Sequence, residues 1–221
     1  MFVEPIRNRI PREEFDYQTL LDVLGDYAHP RDKISDFLRK GVIVRVKKGL
    51  YVLGEDYRRR PYSRQLLANL IYGPSYISLE SALAYYGLIP ERVEAVTSVT
   101  TGRSRRFDTT VGLFIYREIS LRVFRIGMTR VENEGEPAFL IATPEKALSD
   151  KIRQDRGTGF RSLKQLKTYL FDDLRIDPPA LERLDPEIVE EIARRYLSRK
   201  IQLLADLIRR LQPEVSGDGD E

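Results

Sequence analysis

One stretch of twelve residues constrains this chain more than any other: Val42-Ile-Val-Arg-Val-Lys-Lys-Gly-Leu-Tyr-Val-Leu53. Two β-branched runs flank Lys47-Lys48-Gly49, and a glycine at that point accepts positive φ, so a β-hairpin is predicted. A helix is predicted just ahead of it, over 30–40. Pro30 opens it, Ile34, Phe37 and Leu38 share one face, and Gly41 closes it after Arg39 and Lys40. Further upstream, Phe15, Leu20, Leu21, Val23, Leu24 and Tyr27 recur at helical spacing. With Pro11 tolerated in a first turn and Glu13 and Glu14 at the positive end of the dipole, a helix is expected over roughly 12–26. Helix, helix and basic hairpin is the order of a winged helix-turn-helix. A full module of that kind has three helices before the hairpin, and only two are clear. Either the stretch from Pro11 to Ala28 is broken in two, or the module is minimal.

Charge bears on the same segment. The 221 residues carry a net charge of only +3, but His29 to Arg64 holds eleven bases against four acids, a net +7 in 36 residues. A basic block in a nearly neutral chain suits a polyanion-binding face, and on charge alone a solvated surface fits equally. A DNA major groove admits one α-helix. The 30–40 helix offers it Arg31, Lys33, Ser35, Arg39 and Lys40, and the hairpin brings Arg45, Lys47 and Lys48 to where a phosphate backbone would lie. Gly54 to Arg64 reads as a linker, with its basic part at 58–64. There Arg58, Arg59 and Arg60 either solvate a connector or add phosphate contacts.

The remainder reads as a second domain. Helices are expected from Ser63 to Tyr72, from Ser78 to Gly87, from Thr143-Pro144-Glu145, from Ser162 with Gln165 as a capping box, and from Asp185-Pro186-Glu187 onward with one slip near Ser198. β-rich runs at Ala95–Thr100, Val111–Tyr116, Leu121–Ile126 and Ala138–Ala142 lack intervening helices, so an antiparallel sheet is expected. Arg103, Arg105 and Arg106 fall between strands. They read as an exposed loop, as additional DNA contacts, or as a docking point for an acidic partner. Tyr76, Tyr85 and Tyr86 are expected on a helix face, within the core. The fold class expected is therefore α+β: a winged helix-turn-helix at 1–57, a basic linker at 58–64, an α+β domain with C-terminal helices at 65–212, and a disordered acidic tail at 213–221.

Three segments together carry a family resemblance. They are Arg39-Lys40-Gly41-Val-Ile-Val-Arg-Val-Lys-Lys-Gly49-Leu-Tyr51-Val, Tyr76-Ile-Ser-Leu-Glu-Ser81-Ala-Leu-Ala-Tyr-Tyr-Gly87-Leu, and Phe139-Leu-Ile-Ala-Thr143-Pro144-Glu145-Lys146-Ala147-Leu148-Ser-Asp150-Lys151. In order and spacing the chain resembles the AbiEi antitoxin family of type IV toxin–antitoxin systems over most of residues 15 to 155. The resemblance implies a repressor that binds repeats in its own promoter and counteracts a nucleotidyltransferase toxin. The partners it implies are double-stranded operator DNA and that toxin. The alternative is a simple DNA-binding regulator whose second domain senses a ligand or self-associates.

The residues argue against an enzyme. There is no cysteine, and His29 is the only histidine, so disulfides, cysteine-rich zinc sites and multi-histidine metal sites are excluded. No nucleophile–base arrangement and no phosphate-binding glycine motif is visible. Gln165-Leu-Lys167 is the sole approximation to a nuclease core, and it falls on a predicted helix. No catalytic residue, metal or cofactor is expected. Without a signal peptide or an apolar run of about 20 residues, the expected setting is the cytoplasm, with no membrane contact. The protein is expected as a monomer in solution or as a cooperative assembly on DNA.

Overall fold

The computed structural model describes residues 4–155, 157 and 159–212; the acidic tail lies outside them. The first unit comprises α1 (Glu4–Arg9), β1 (Glu14–Asp16), α2 (Tyr17–Val23), α3 (Pro30–Arg39), β2 (Ile43–Lys47) and β3 (Leu50–Leu53). Its strands form an antiparallel sheet in the order β1-β3-β2. The continuous helix expected over 12–26 does not form, because β1 and the cap of α2 occupy its first half. Asp16 Oδ1 accepts the Thr19 N–H at 2.8 Å, a cap of a kind worth about 1 kcal/mol. Phe15 pairs with Tyr51 across the sheet, their rings 6.3 Å apart and nearly parallel. Glu13 and Glu14 are buried rather than lying on a helix surface. Arg7 Nη2 meets Glu13 Oε1 at 2.6 Å and Arg7 Nε donates to the Tyr57 carbonyl at 2.8 Å. α1 lies ahead of the stretch from Pro11 to Ala28.

α3 forms where the sequence places it, with Pro30 in the first turn and Gly41 just beyond its end at φ 68. Ile34 and Phe37 bury against Ile10, Leu20, Leu24, Val42 and Ile43. The hairpin turns at Lys48-Gly49, where Gly49 takes φ 85. At the far end of β3 a Cβ on Gly54 would lie 1.9 Å from the Gly41 carbonyl oxygen. Only glycine lets the two chain segments close together there.

The second unit begins with α4 (Arg64–Ile71), β4 (Ser75–Ile77), α5 (Leu79–Tyr85), β5 (Val96–Thr100), β6 (Arg105–Thr109) and β7 (Gly112–Glu118). It continues with α6 (Leu121–Phe124), β8 (Met128–Val131), β9 (Phe139–Ala142), α7 (Pro144–Gln154) and α8 (Leu163–Thr168), the last running into a π turn at Tyr169–Asp173. Three helices follow: α9 (Pro178–Glu182), α10 (Pro186–Tyr196) and α11 (Arg199–Leu211). The fold class is α+β. The six-stranded sheet has the order β6-β7-β5-β4-β9-β8. Antiparallel pairing holds at β4/β5, β6/β7 and β8/β9, while β5/β7 and β4/β9 run parallel. The parallel contacts arise because the β6–β7 hairpin returns to dock β7 beside β5, and because β9 reaches β4 only after a long excursion.

Several local expectations are corrected. Leu121–Ile126 is not a strand. Ser120 Oγ accepts the Arg122 N–H at 3.3 Å and starts the short α6, whose Val123 and Phe124 are buried. Arg105 and Arg106 lie in β6, not in a loop. Tyr76 belongs to β4 and is fully buried, whereas Tyr85 is exposed. The slip near Ser198 is a true break: Leu197 adopts φ 51 and Ser198 caps α11. Arg209 near the end of α11 pairs with Glu190 in the first half of α10, so the two helices fold back on each other. The units also share a seam. Val46, Leu50 and Val52 of the hairpin are buried in the same cluster as Leu67, Ala68 and Ile71 of α4.

Candidate nucleic-acid interface

α3 divides cleanly. Ile34 and Phe37 point into the core, and Arg31, Ser35, Arg39 and Lys40 are exposed. Their charges are not equally free. Asp36 sits among them, receiving Lys40 Nζ at 2.8 Å and Arg39 Nη2 at 2.6 Å. The hydrogen bond from Lys40 first, then that from Arg39, holds its carboxyl below the ordinary range. Lys33 is half-buried, with its ammonium 5.1 Å from the Phe37 ring centre and 5.5 Å from that of Tyr27. Arg31 has no ion pair among the described residues, and its carbonyl accepts Ser35 Oγ at 3.1 Å.

On the hairpin, Arg45 and Lys48 are exposed. Lys47 is taken elsewhere: its Nζ donates to the Ile71 carbonyl, and burial pushes its pKa down. A second tie runs from Thr110 Oγ1 to the Arg45 carbonyl at 3.0 Å. The linker arginines are folded back on the first unit. Arg58 meets Glu55 at 3.1 Å and covers the Tyr62 ring at 5.4 Å. The Arg59 side chain bonds Asn8, and its N–H donates to Glu13 Oε1 at 3.3 Å. Arg60 lies near enough to Glu14 to favour its ionised form, although burial dominates and raises that carboxyl. Arg103, Arg105 and Arg106 are exposed, and the Arg105 guanidinium stands 5.7 Å over the Tyr72 ring. The structure therefore gathers Arg31, Ser35, Arg39, Lys40, Arg45 and Lys48 on exposed parts of the first unit and directs Lys47 into the seam.

The fold has a solved counterpart. It is similar to the crystal structure of the RV2827C protein from Mycobacterium tuberculosis, with a TM-score of 0.51 and 16% sequence identity. The likeness covers 96% of this chain and 80% of that one. At that identity it concerns the fold alone. No family model matches the chain, and no curated protein matches it significantly. No helix among the described residues is long and apolar enough to cross a membrane, and they contain no group of three or more His, Cys, Asp or Glu placed to hold a metal.

Sequence reasoning passed over a buried polar cluster in the second unit. Lys146 and Asp150, one turn apart on α7, are both fully buried and ion-paired. Asp150 also accepts Ser78 Oγ at 2.8 Å and the Tyr196 hydroxyl. Lys146 stands 5.2 Å from the Tyr196 ring centre and 5.8 Å from that of Tyr76. Burial lowers the Lys146 pKa, and Asp150 opposes that shift. The cluster joins β4, α5, α7 and α10. Its signal in the sequence was an i, i+4 pair of opposite charges on a helix otherwise carrying Ala147, Leu148 and Ile152 inward.

Proposed function

We propose that the protein is a DNA-binding transcriptional repressor of winged-helix type that acts as an antitoxin, without enzymatic activity, in the cytoplasm. The observation that carries this reading is the exposed base-bearing face of α3 beside a hairpin whose Arg45 and Lys48 are also exposed. The element order α1-β1-α2-α3-β2-β3 supports a winged helix-turn-helix, with α1 as its first helix. α3 enters the major groove, where Arg31 reads base edges and Ser35, Arg39 and Lys40 hold phosphates. Arg45 and Lys48 rest on the flanking backbone. The resemblance to AbiEi antitoxins supplies the remainder: operator repeats in the chain's own promoter and a nucleotidyltransferase toxin as target. Footprinting on the upstream region tests the DNA reading, with protection of repeated half-sites as the expected result. Co-expression with that toxin, scored by growth, tests the antitoxin reading.

A second reading, a regulator that senses a ligand, is favoured by a cleft of about 560 Å³ lined by Tyr62, Arg64, Tyr85, Ile89 and Val93. It lies where α4 leaves the linker, and the Nε of Arg64 is buried without a hydrogen-bond partner. Denaturation midpoints that shift with a bound metabolite would support it.

A further inference from the structure

Three arginines from three separate elements line one cleft of about 540 Å³: Arg122 of α6, Arg153 of α7 and Arg195 of α10. Tyr196 and Leu197 belong both to this cleft and to an adjoining hollow, where Arg153 recurs with Arg199 and Lys200. Ser104, between Arg103 and Arg105 in the chain, completes the rim. The opposing charge is slight. Glu118 lines the cleft and Asp155 the hollow, and Asp155 already receives Lys151 Nζ at 2.9 Å and the Tyr169 hydroxyl at 2.6 Å. Arg122 and Arg153 have no ion pair among the described residues. Arg195 meets Glu191 of its own helix only at 3.6 Å.

Gathering like charges with few counter-charges destabilises a folded chain. Packing does not require these three, since all are exposed. Guanidinium groups match phosphate oxygens with paired donors, and the volume falls within the range of roughly 300–1,000 Å³ usual for small-molecule sites. Leu197 adds an apolar lip. It is 84% exposed and held at φ 51, a conformation uncommon for a residue with a Cβ. We propose that this cleft binds a small molecule carrying two or more phosphates, of the size and chemistry of a nucleoside di- or triphosphate. Its concavity favours a compact ligand over an extended strand. The inference stands independently of the DNA reading.

Calorimetric titration of the full chain at low ionic strength with ATP, ADP, AMP, pyrophosphate and adenosine tests it. ATP, ADP and pyrophosphate should bind, AMP about tenfold more weakly, and adenosine not at all. The double variant Arg153→Ala/Arg195→Ala should weaken ATP binding by about tenfold or more, and Arg122→Gln, on another element, should weaken it in the same direction. Arg31→Ala on α3 should bind ATP as the parent does, which separates this site from the DNA face. Absence of heat with every phosphate, or undiminished affinity in the cleft variants, would overturn the proposal. So would a single-stranded oligonucleotide binding through the same arginines more tightly than ATP.

Discussion

Lys47, the last residue of β2, donates its Nζ to the carbonyl of Ile71, the last residue of α4. A cation at the carbonyl end of a helix is well placed against the helix dipole, and the bond ties the hairpin to the second unit. Lys47 and Lys48 are adjacent in sequence but do different work.

On the proposed DNA-binding function, that difference can be measured on DNA. Lys48→Ala should flatten the salt dependence of binding by about 0.9 in log–log slope for a lost phosphate contact, whereas Lys47→Ala should leave the slope unchanged and lower the melting temperature. Arg31→Ala should reduce discrimination between operator and random DNA by about 1–3 kcal/mol if it reads a base pair. Equal slopes for the two lysine variants would refute the division between them.

The pair Lys146–Asp150 should behave as a buried charge pair. Lys146→Met removes the buried cation paired with Asp150, leaving the Ser78 and Tyr196 hydroxyls as its donors, and should cost about 3–5 kcal/mol by urea denaturation. Lys146→Met combined with Asp150→Leu should cost less than the sum of the single changes. Additive losses would show that the two charges do not depend on each other.

Asp16 gives a pH signature. Hydrogen bonds from the Thr19 N–H and then its hydroxyl lower the Asp16 pKa from the ordinary 3.8. A folded pKa below the unfolded one means that its contribution is present above 3.8 and is lost as pH falls through the folded value. Asp16→Ala should therefore melt below the parent at neutral pH by an amount reflecting about 1 kcal/mol. The gap should close in acid. A gap that stayed constant down to strongly acidic pH would exclude the carboxylate as its source.

The shared seam bears on truncation. From the sequence, the part from Tyr62 to Gln212 is expected to fold alone. Removing the hairpin, however, takes Val46, Leu50 and Val52 away from Leu67, Ala68 and Ile71. Uncovering a contiguous apolar surface of that kind favours association. That fragment should bind an apolar dye and self-associate, and the full chain should unfold in one transition. Two well-separated calorimetric transitions in the full chain would contradict the seam.

Much of this was legible from local signals. Pro30, Gly41 and Gly49 placed α3 and the hairpin, and Thr143-Pro144-Glu145 placed α7, because caps and turns are written in neighbouring residues. What escaped depended on distant partners. Glu13, Glu14 and Phe15 look like a helical first turn until Arg7, Ser63 and Tyr51 engage them from elsewhere. Arg105 and Arg106 resemble a charged loop, and only pairing with β7 makes them a strand. The basic residues of the candidate interface could be named in advance, but not that Lys47 would be turned into the seam. The arginine cleft was invisible for the same reason, since its members lie far apart in sequence.

The arginines of β6 also bear on the sheet they border. β6 and β8 are its outer strands, each bonded to a neighbour on one side. An open strand edge is a template on which another chain can add. Arg105 and Arg106 stand exposed on one such edge and Arg130 on the other. A second copy adding parallel and in register at either edge would bring guanidinium groups against guanidinium groups, whereas an antiparallel copy centred on Phe107 would set Arg106 opposite Asp108. Those charges therefore oppose parallel, in-register stacking, the arrangement of fibre-like growth, and neutral residues there would remove that barrier.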